Sequence, residues 1–204
     1  VNDNLGGLLA NGTQITENRF VLAVGANGNP GPVRLSGTPT TDISNLLSGP
    51  FNNMGVPGAK SFHLVAPGYG NIAGVATGAS NPYFVRFASE ANATIIADAA
   101  AQQPTFFSLW IGNNDILSYA TSGGIGVDQK GNLNPATYGA NDITDPQVFA
   151  SVYSQEVSAL MASATGGVLF NIPDVTSIPY FTTVPYNAIP LDAGTASVVN
   201  QAYA

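Results

Sequence analysis

The sequence predicts an α/β fold built on a parallel sheet, and three observations carry that expectation. Residues 105–111 (TFFSLWI) are apolar, β-branched or aromatic apart from Ser108, the pattern of a strand covered on both faces. Residues 168–172 (VLFNI) form a second such run. Between them lies the clearest helical pattern in the chain, so the order is strand, helix, strand, which closes as a parallel βαβ unit.

The elements follow in order. Residues 1–18 are rich in Asn and Gly, lack sustained periodicity and read as loop. Residues 19–24 read as a short strand. The GANGNPGP run after them mixes Gly and Pro with Asn and excludes regular structure. Residues 34–45 are irregular, ending in a short helix capped by Asp42 before Ile43, Leu46 and Leu47. Residues 51–70 read as a turn or short strand, a bend at Gly55-Val56-Pro57-Gly58, one or two helical turns, and a stop at Pro67-Gly68. Residues 71–80 are small-residue loop. Asn81-Pro82 can cap and start a helix. Residues 92–102 form a better one, with Ile95, Ile96 and Ala99 inward and Pro104 ending it.

Gly112 stops the first apolar strand. Asn113, Asn114 and Asp115 then place short polar side chains where it ends. Ligands of open α/β sheets bind beyond the carboxyl ends of the strands, so this is the place to look for chemistry. Residues 121–141 are a glycine-rich insertion, readable either as lining a binding site or as a surface excursion. Asp145 caps the main helix with Pro146 at its first position. Phe149, Val152, Tyr153, Val157, Leu160 and Met161 fall on one face, and Gly166-Gly167 terminate it. Pro173-Asp174 ends the second strand, residues 176–190 are loop, and residues 195–204 begin to look helical.

Composition narrows the function classes. At 204 residues the chain suits one domain, 1–204. Charged residues make up only 8%, with a net charge of −7. The basic residues Arg19, Arg34, Lys60, Arg86 and Lys130 are scattered, leaving no footprint for nucleic acid. No apolar run is long enough to span a membrane. Without cysteine there are no disulfides, thiolate metal sites or cysteine nucleophiles. His63 is the single histidine, so a multi-histidine zinc site cannot be built and a Ser-His-Asp triad has one candidate base. Neither a cofactor nor a metal is expected.

Two stretches resemble one family. IGNND (residues 111–115) is similar to the G-x-N-D block of SGNH hydrolases, the GDSL lipase/acylhydrolase family. NNMGVPGAKS (residues 52–61) is similar to that family's earlier N-x-G-x-x-G block. VLFNIPDVTSIP (residues 168–179) is a softer match to the strand and loop before the family's last catalytic segment. The resemblance covers about residues 50–180, in the family's order.

It implies a three-layer α/β/α, flavodoxin-like fold and serine-dependent hydrolysis of carboxylic esters. Substrates would be lipids, short acyl esters or acylated sugars, met in a secreted, periplasmic or cell-surface setting. By resemblance, Asn114 supplies a side-chain amide and Gly58 a backbone N–H to an oxyanion hole, with Gly55 a rival to Gly58. Asp115 braces the loop beside Gly112 and Asn113. Each such donor contributes about 2.7–4 kcal/mol of transition-state stabilisation.

The departures are large. There is no Gly-Asp-Ser for a nucleophile, no D-x-x-H for a base and no G-x-S-x-G elbow. His63 follows the glycine block directly and is expected to be structural; a local Ser61/His63 pair has no carboxylate placed by sequence. The expectation is therefore the middle of an SGNH hydrolase, incomplete at both ends: the oxyanion half of a site without nucleophile or base. The alternative is a non-catalytic domain that binds carbohydrate or another surface ligand.

Overall fold

The computed structural model describes residues 5–25, 28–183 and 191–202. Parts of the expected first loop, the GANGNPGP run, the 176–190 loop and the end of the last helix therefore lie outside the described residues. The chain is mixed α/β with small sheets, one of which contains the expected parallel pair.

The first 42 residues hold more structure than their composition suggests. Gly7–Leu8 (β1) pairs antiparallel with Gln14–Thr16 (β2) and parallel with Thr41–Asp42 (β5). The loop expected over residues 1–18 is thus corrected. So is the helix from Asp42: that carboxylate accepts from Ser44 N–H (2.8 Å) and Ser44 Oγ–H (2.6 Å), closing a tight turn instead.

The expected strand is present as Phe20–Val24 (β3), and it pairs antiparallel with Pro30–Arg34 (β4) inside the run read as structureless. The ladder explains how prolines enter a strand. Leu35 N–H bonds Arg19 O (3.0 Å) and Gly25 N–H bonds Asn29 O (2.9 Å). Antiparallel pairs alternate between bonded and non-bonded, so Leu22–Pro32 and Val24–Pro30 are non-bonded pairs. Both proline nitrogens face outward, where no ladder N–H is needed.

Asn81 caps Pro82–Val85 (α1) by accepting from Tyr83 N–H (2.9 Å). Thr94 caps Ile95–Ala101 (α2), whose Ile95 is buried. Phe106–Leu109 (β6) pairs parallel with Gly166–Leu169 (β7), Phe107 opposite Gly167. Asn114–Thr121 (α3) and Pro146–Met161 (α4) lie between these strands in the chain. Phe107 and Leu109 enter the main core with Ala59, Leu64, Phe84, Ala88, Ile95, Leu160 and Ala164.

Burial on both faces of β6 is not observed. Phe106 is 62% and Trp110 60% exposed, and Val168, Leu169 and Phe170 are exposed as well. β6 has one covered face, where Phe107 and Leu109 pack into the core, and one bare face, whereas β7 is exposed on both, Leu169 lying on the face of Leu109. Gly166-Gly167 belong to β7 rather than to the helix end. A Cβ on Gly167 would sit 2.6 Å from the Phe107 ring, so the glycine makes room for the aromatic on the paired strand.

The Asp145 cap of α4 is as expected, accepting from Gln147 N–H (2.7 Å) and Val148 N–H (3.0 Å). Its buried line is Val148, Val152, Glu156 and Leu160, while Met161 is exposed. The 121–141 insertion is held by Asp142, which accepts from Val127 N–H (2.9 Å) and Gly139 N–H (2.7 Å). Asp174 caps a helical turn at Val175–Ser177, and Pro179–Thr182 (α5) adds another where a loop was expected. Asp192 accepts from Thr195 N–H (2.8 Å) at the start of Ala193–Ala202 (α6).

Candidate functional site

The polar end of β6 meets the glycine block. Val56-Pro57-Gly58-Ala59 is a type II turn: Pro57 takes the second position, Gly58 the third with φ +77°, and Ala59 N–H closes it on Val56 O (3.2 Å). The turn leaves Gly58 exposed, with open space where a Cβ would be. Its N–H has no acceptor among the described residues. Gly55 differs, because its N–H is taken by Asn53 Oδ1 (2.9 Å). Of the two glycines, only Gly58 keeps a donor for a ligand.

Asn114 is the first residue of α3, and its Nδ2 donates to Ala59 O (2.9 Å). It does not cap the helix. Asn113 stands at the cap position without a side-chain capping bond, and its buried Oδ1 has no partner. The Asn114–Ala59 bond brings Asn114 beside Gly58, the residue before Ala59. An amide has two N–H groups, so one remains on Asn114 after this bond.

Gly112 sits at φ +106°, and a Cβ there would come within 2.5 Å of Ile172 Cδ1 and 2.8 Å of Phe149 Cε2. The strand end therefore depends on glycine for both conformation and clearance. Gly112→Ala should cost about 1–3 kcal/mol and displace the Asn113-Asn114 turn; a chemical denaturation curve overlapping the wild type would refute this.

Asp115 is the brace. It is buried, and its carboxylate accepts from Ser61 N–H (2.8 Å) and Ser61 Oγ–H (2.7 Å). Ser61 is fully buried with its hydroxyl committed to Asp115, so it is no nucleophile in this arrangement. His63 is turned elsewhere. Its Nδ1 accepts from Lys60 N–H (3.0 Å), and its ring stacks on Tyr69 at 4.3 Å. Burial, helped by the charge of Lys60, pushes the imidazole down to about 4, so it is neutral at physiological pH.

Three charged groups here were not singled out from sequence. Lys60 is buried, donates from Nζ to Asp142 O (2.7 Å), and has its pKa lowered by burial against the opposing pull of Asp115 and Asp142. Asp142 ties the insertion to this lysine. Glu156 is completely buried on α4, with neither carboxyl oxygen hydrogen-bonded. Burial first, and then the negative charge of Asp115, pushes it up to about 8. A usable signal existed: Glu156 lies four residues from both Val152 and Leu160, on the buried line of the helix.

A groove of about 920 Å³ runs along β6 from Thr105 to Asn114. Residues 51–56 form a wall, with Ile95, Ile96 and Leu160 beneath. No residue of the 121–141 insertion lines it; that segment instead sets Tyr138 edge-on against Phe62 (5.6 Å). Among the described residues no group of three His, Cys, Asp or Glu could hold a metal ion, and no helix is long and apolar enough to cross a membrane.

Compared with family models, curated proteins and solved structures, the chain has no match. Its functional reading therefore rests on the motifs and on this geometry.

Proposed function

We propose that this chain carries the oxyanion-binding part of a serine-type ester hydrolase of the SGNH kind. Its substrates would be carboxylic esters of lipids, short acyl groups or acylated sugars, in an exported setting. The observation that carries the reading is the pairing of two donors. The unclaimed Gly58 N–H projects from a type II turn, and the adjoining Ala59 carbonyl holds the Asn114 amide beside it. Fixed donors of this sort stabilise a tetrahedral oxyanion because they need no reorganisation as charge develops. Gly112, Asn113 and Asp115 shape and brace that end of the strand. The three-layer architecture belongs to this proposal, as the second covering layer over β6 and β7.

Ser61 is committed to Asp115 and His63 to the Lys60 amide, so the chain alone supplies neither nucleophile nor base from this cluster. It should not turn over p-nitrophenyl acetate above the buffer rate. The donor pair is tested by titrating phenylphosphonate, a tetrahedral anion, into labelled protein and following amide resonances. Gly58 N–H and the Asn114 side-chain amide should shift together, and Asn114→Ala should abolish the Gly58 shift. If neither resonance moves at millimolar anion, the site is not an oxyanion hole.

One observation favours a second reading, a glycan-binding surface. Trp110 and Phe170 lie exposed side by side, ring centroids 5.7 Å apart, as an aromatic platform. Calorimetry with soluble oligosaccharides separates the two, because a sugar site should lose binding in Trp110→Ala and keep it in Asn114→Ala.

A further inference from the structure

We propose that Glu156 is a positioning residue for the donor pair: while uncharged it lets Asp115 hold the Gly58 turn in place, and once charged it loosens that hold. The inference rests on the oxyanion reading above and names how that site is regulated. Two rungs tie the turn to the segment that follows β6. Asn114 Nδ2 donates to Ala59 O (2.9 Å), and Asp115 accepts from Ser61 N–H (2.8 Å) and Ser61 Oγ–H (2.7 Å). Consecutive residues 114 and 115 thus grip residues 59 and 61. A shift of either rung moves a donor, since Asn114 adjoins Asp115 and Gly58 adjoins Ala59.

Glu156 stands behind the second rung. Helix α4 packs against the helical turn Ser61–Val65 and against α2. Glu156 is fully buried there, neither carboxyl oxygen has a hydrogen-bond partner, and the charge that acts on it is that of Asp115. The other charged or titratable groups on these elements are engaged elsewhere. Lys60 Nζ is turned to Asp142 O (2.7 Å), and His63 is neutral and accepts from the Lys60 amide. Asp98 on α2 accepts from Ser89 N–H (2.9 Å) and Ser89 Oγ–H (2.6 Å). Tyr153, on α4 itself, is pushed above its ordinary pKa by burial and then by Glu156. Among the described residues none forms an ion pair with Glu156.

Leucine or methionine would fill this place on the buried line of α4 with no polar atom to satisfy. A carboxyl adds one property they lack, a charge that appears at a definite pH. An ionised Glu156 faces Asp115 with no donor and no cation of its own, in an interior where like charges repel strongly. Withdrawal of Asp115 relieves the repulsion, and it loosens the Ser61 rung. Both consequences weaken an anion at the donor pair: the donors shift, and a second negative charge lies nearby.

The test is a carbon-detected pH titration of the whole chain, labelled with ¹³C and free of ligand. Glu156 is one of three glutamates, so its Cδ is readily assigned. Glu156 Cδ, Gly58 Cα and Asn114 Cγ should move together with one midpoint near pH 8. In Glu156→Gln, the uncharged isostere, the Gly58 and Asn114 signals should stay flat through that range. Benzenesulfonate, a tetrahedral anion of constant charge, should bind the wild type roughly tenfold more weakly at about pH 9 than at about pH 6.5. Its affinity for Glu156→Gln should not change. The coupling is overturned if Gly58 and Asn114 do not follow the Glu156 midpoint. It is equally overturned if their step persists in a folded Glu156→Gln, which would assign it to Lys60 or another group. Should that variant fail to fold, the wild-type midpoints decide. Absence of benzenesulfonate binding at every pH counts against the oxyanion reading alone, because the shared midpoint is read without ligand.

Discussion

Asp115→Ala should lower the unfolding free energy by about 3–5 kcal/mol, a large share of the roughly 5–15 kcal/mol that holds a domain of this kind. The carboxylate accepts two hydrogen bonds from one fully buried residue, Ser61 N–H at 2.8 Å and Ser61 Oγ–H at 2.7 Å. Bonds to a charged acceptor are worth about 1.5–3 kcal/mol each, and truncation leaves both donors buried without partners. Lys60 adds to the loss, because it is itself buried and Asp115 is one of the two carboxylates that favour its charge. Asp115→Asn keeps one acceptor oxygen and should fall about midway. Urea unfolding with unchanged slope measures both variants. A loss below about 1 kcal/mol for Asp115→Ala would mean that water satisfies Ser61 and that the brace is dispensable. Asn114 would be affected as well, since Asp115 fixes the start of the segment that follows Ala59 while Asn114 bonds Ala59 itself.

Glu156→Gln should change the pH dependence of stability more than any other single substitution. Folding raises this carboxyl from an ordinary 4.5 to about 8 by burial and by the charge of Asp115. The folded state therefore holds a proton that the unfolded state has released between those values. The contribution is fully present below pH 4.5 and is lost as pH rises through 8. At about 1.4 kcal/mol per pKa unit the whole effect is on the order of 5 kcal/mol.

His63 works in the opposite direction. Its pKa is pushed from 6.5 down to about 4, so its contribution is present above pH 6.5 and is lost as pH falls through 4. The two slopes oppose each other between about pH 4.5 and 6.5, and Glu156 acts alone from there to pH 8. The wild type should thus lose stability between pH 6.5 and 8. Glu156→Gln should rise to pH 6.5 and then stay level. Melting temperatures at pH 5, 6.5 and 8 check this. Parallel curves for the two proteins above pH 6.5 would show that Glu156 is solvated and ionised in the folded state.

The elements legible in the sequence share a local cause. Asp145-Pro146, Asn81-Pro82 and the Val56-Pro57-Gly58-Ala59 turn are encoded in adjacent residues, whose caps and dihedrals need nothing from the rest of the chain. The parallel pairing of β6 and β7 followed from two apolar runs separated by a helix. The missed strands are short and pair at a distance. Gly7–Leu8 finds its partner at Thr41–Asp42, and Pro30–Arg34 is a strand only because its prolines fall in non-bonded pairs with β3.

Within the candidate site, the residues with sequence spacing were identified and those defined by neighbours were not. Gly58, Gly112, Asn113, Asn114 and Asp115 stand in two short motifs. That Gly58 rather than Gly55 keeps a free N–H depended on the Asn53 side chain. That Ser61 serves Asp115, across 54 residues of chain, depended on the fold bringing them together.

The sequence alone determined the Asn81 and Asp145 caps, the turn at residues 56–59, the parallel order of the two apolar strands, and the absence of cysteine chemistry. Only the tertiary structure decided which surfaces are covered. Phe106 and Trp110 are as apolar as Phe107 and Leu109, yet they are exposed. Glu156 is charged by type, yet it is buried. A side chain's hydrophobicity sets what its burial is worth, but whether it is buried depends on which elements pack against it, and that is fixed by contacts far apart in the chain.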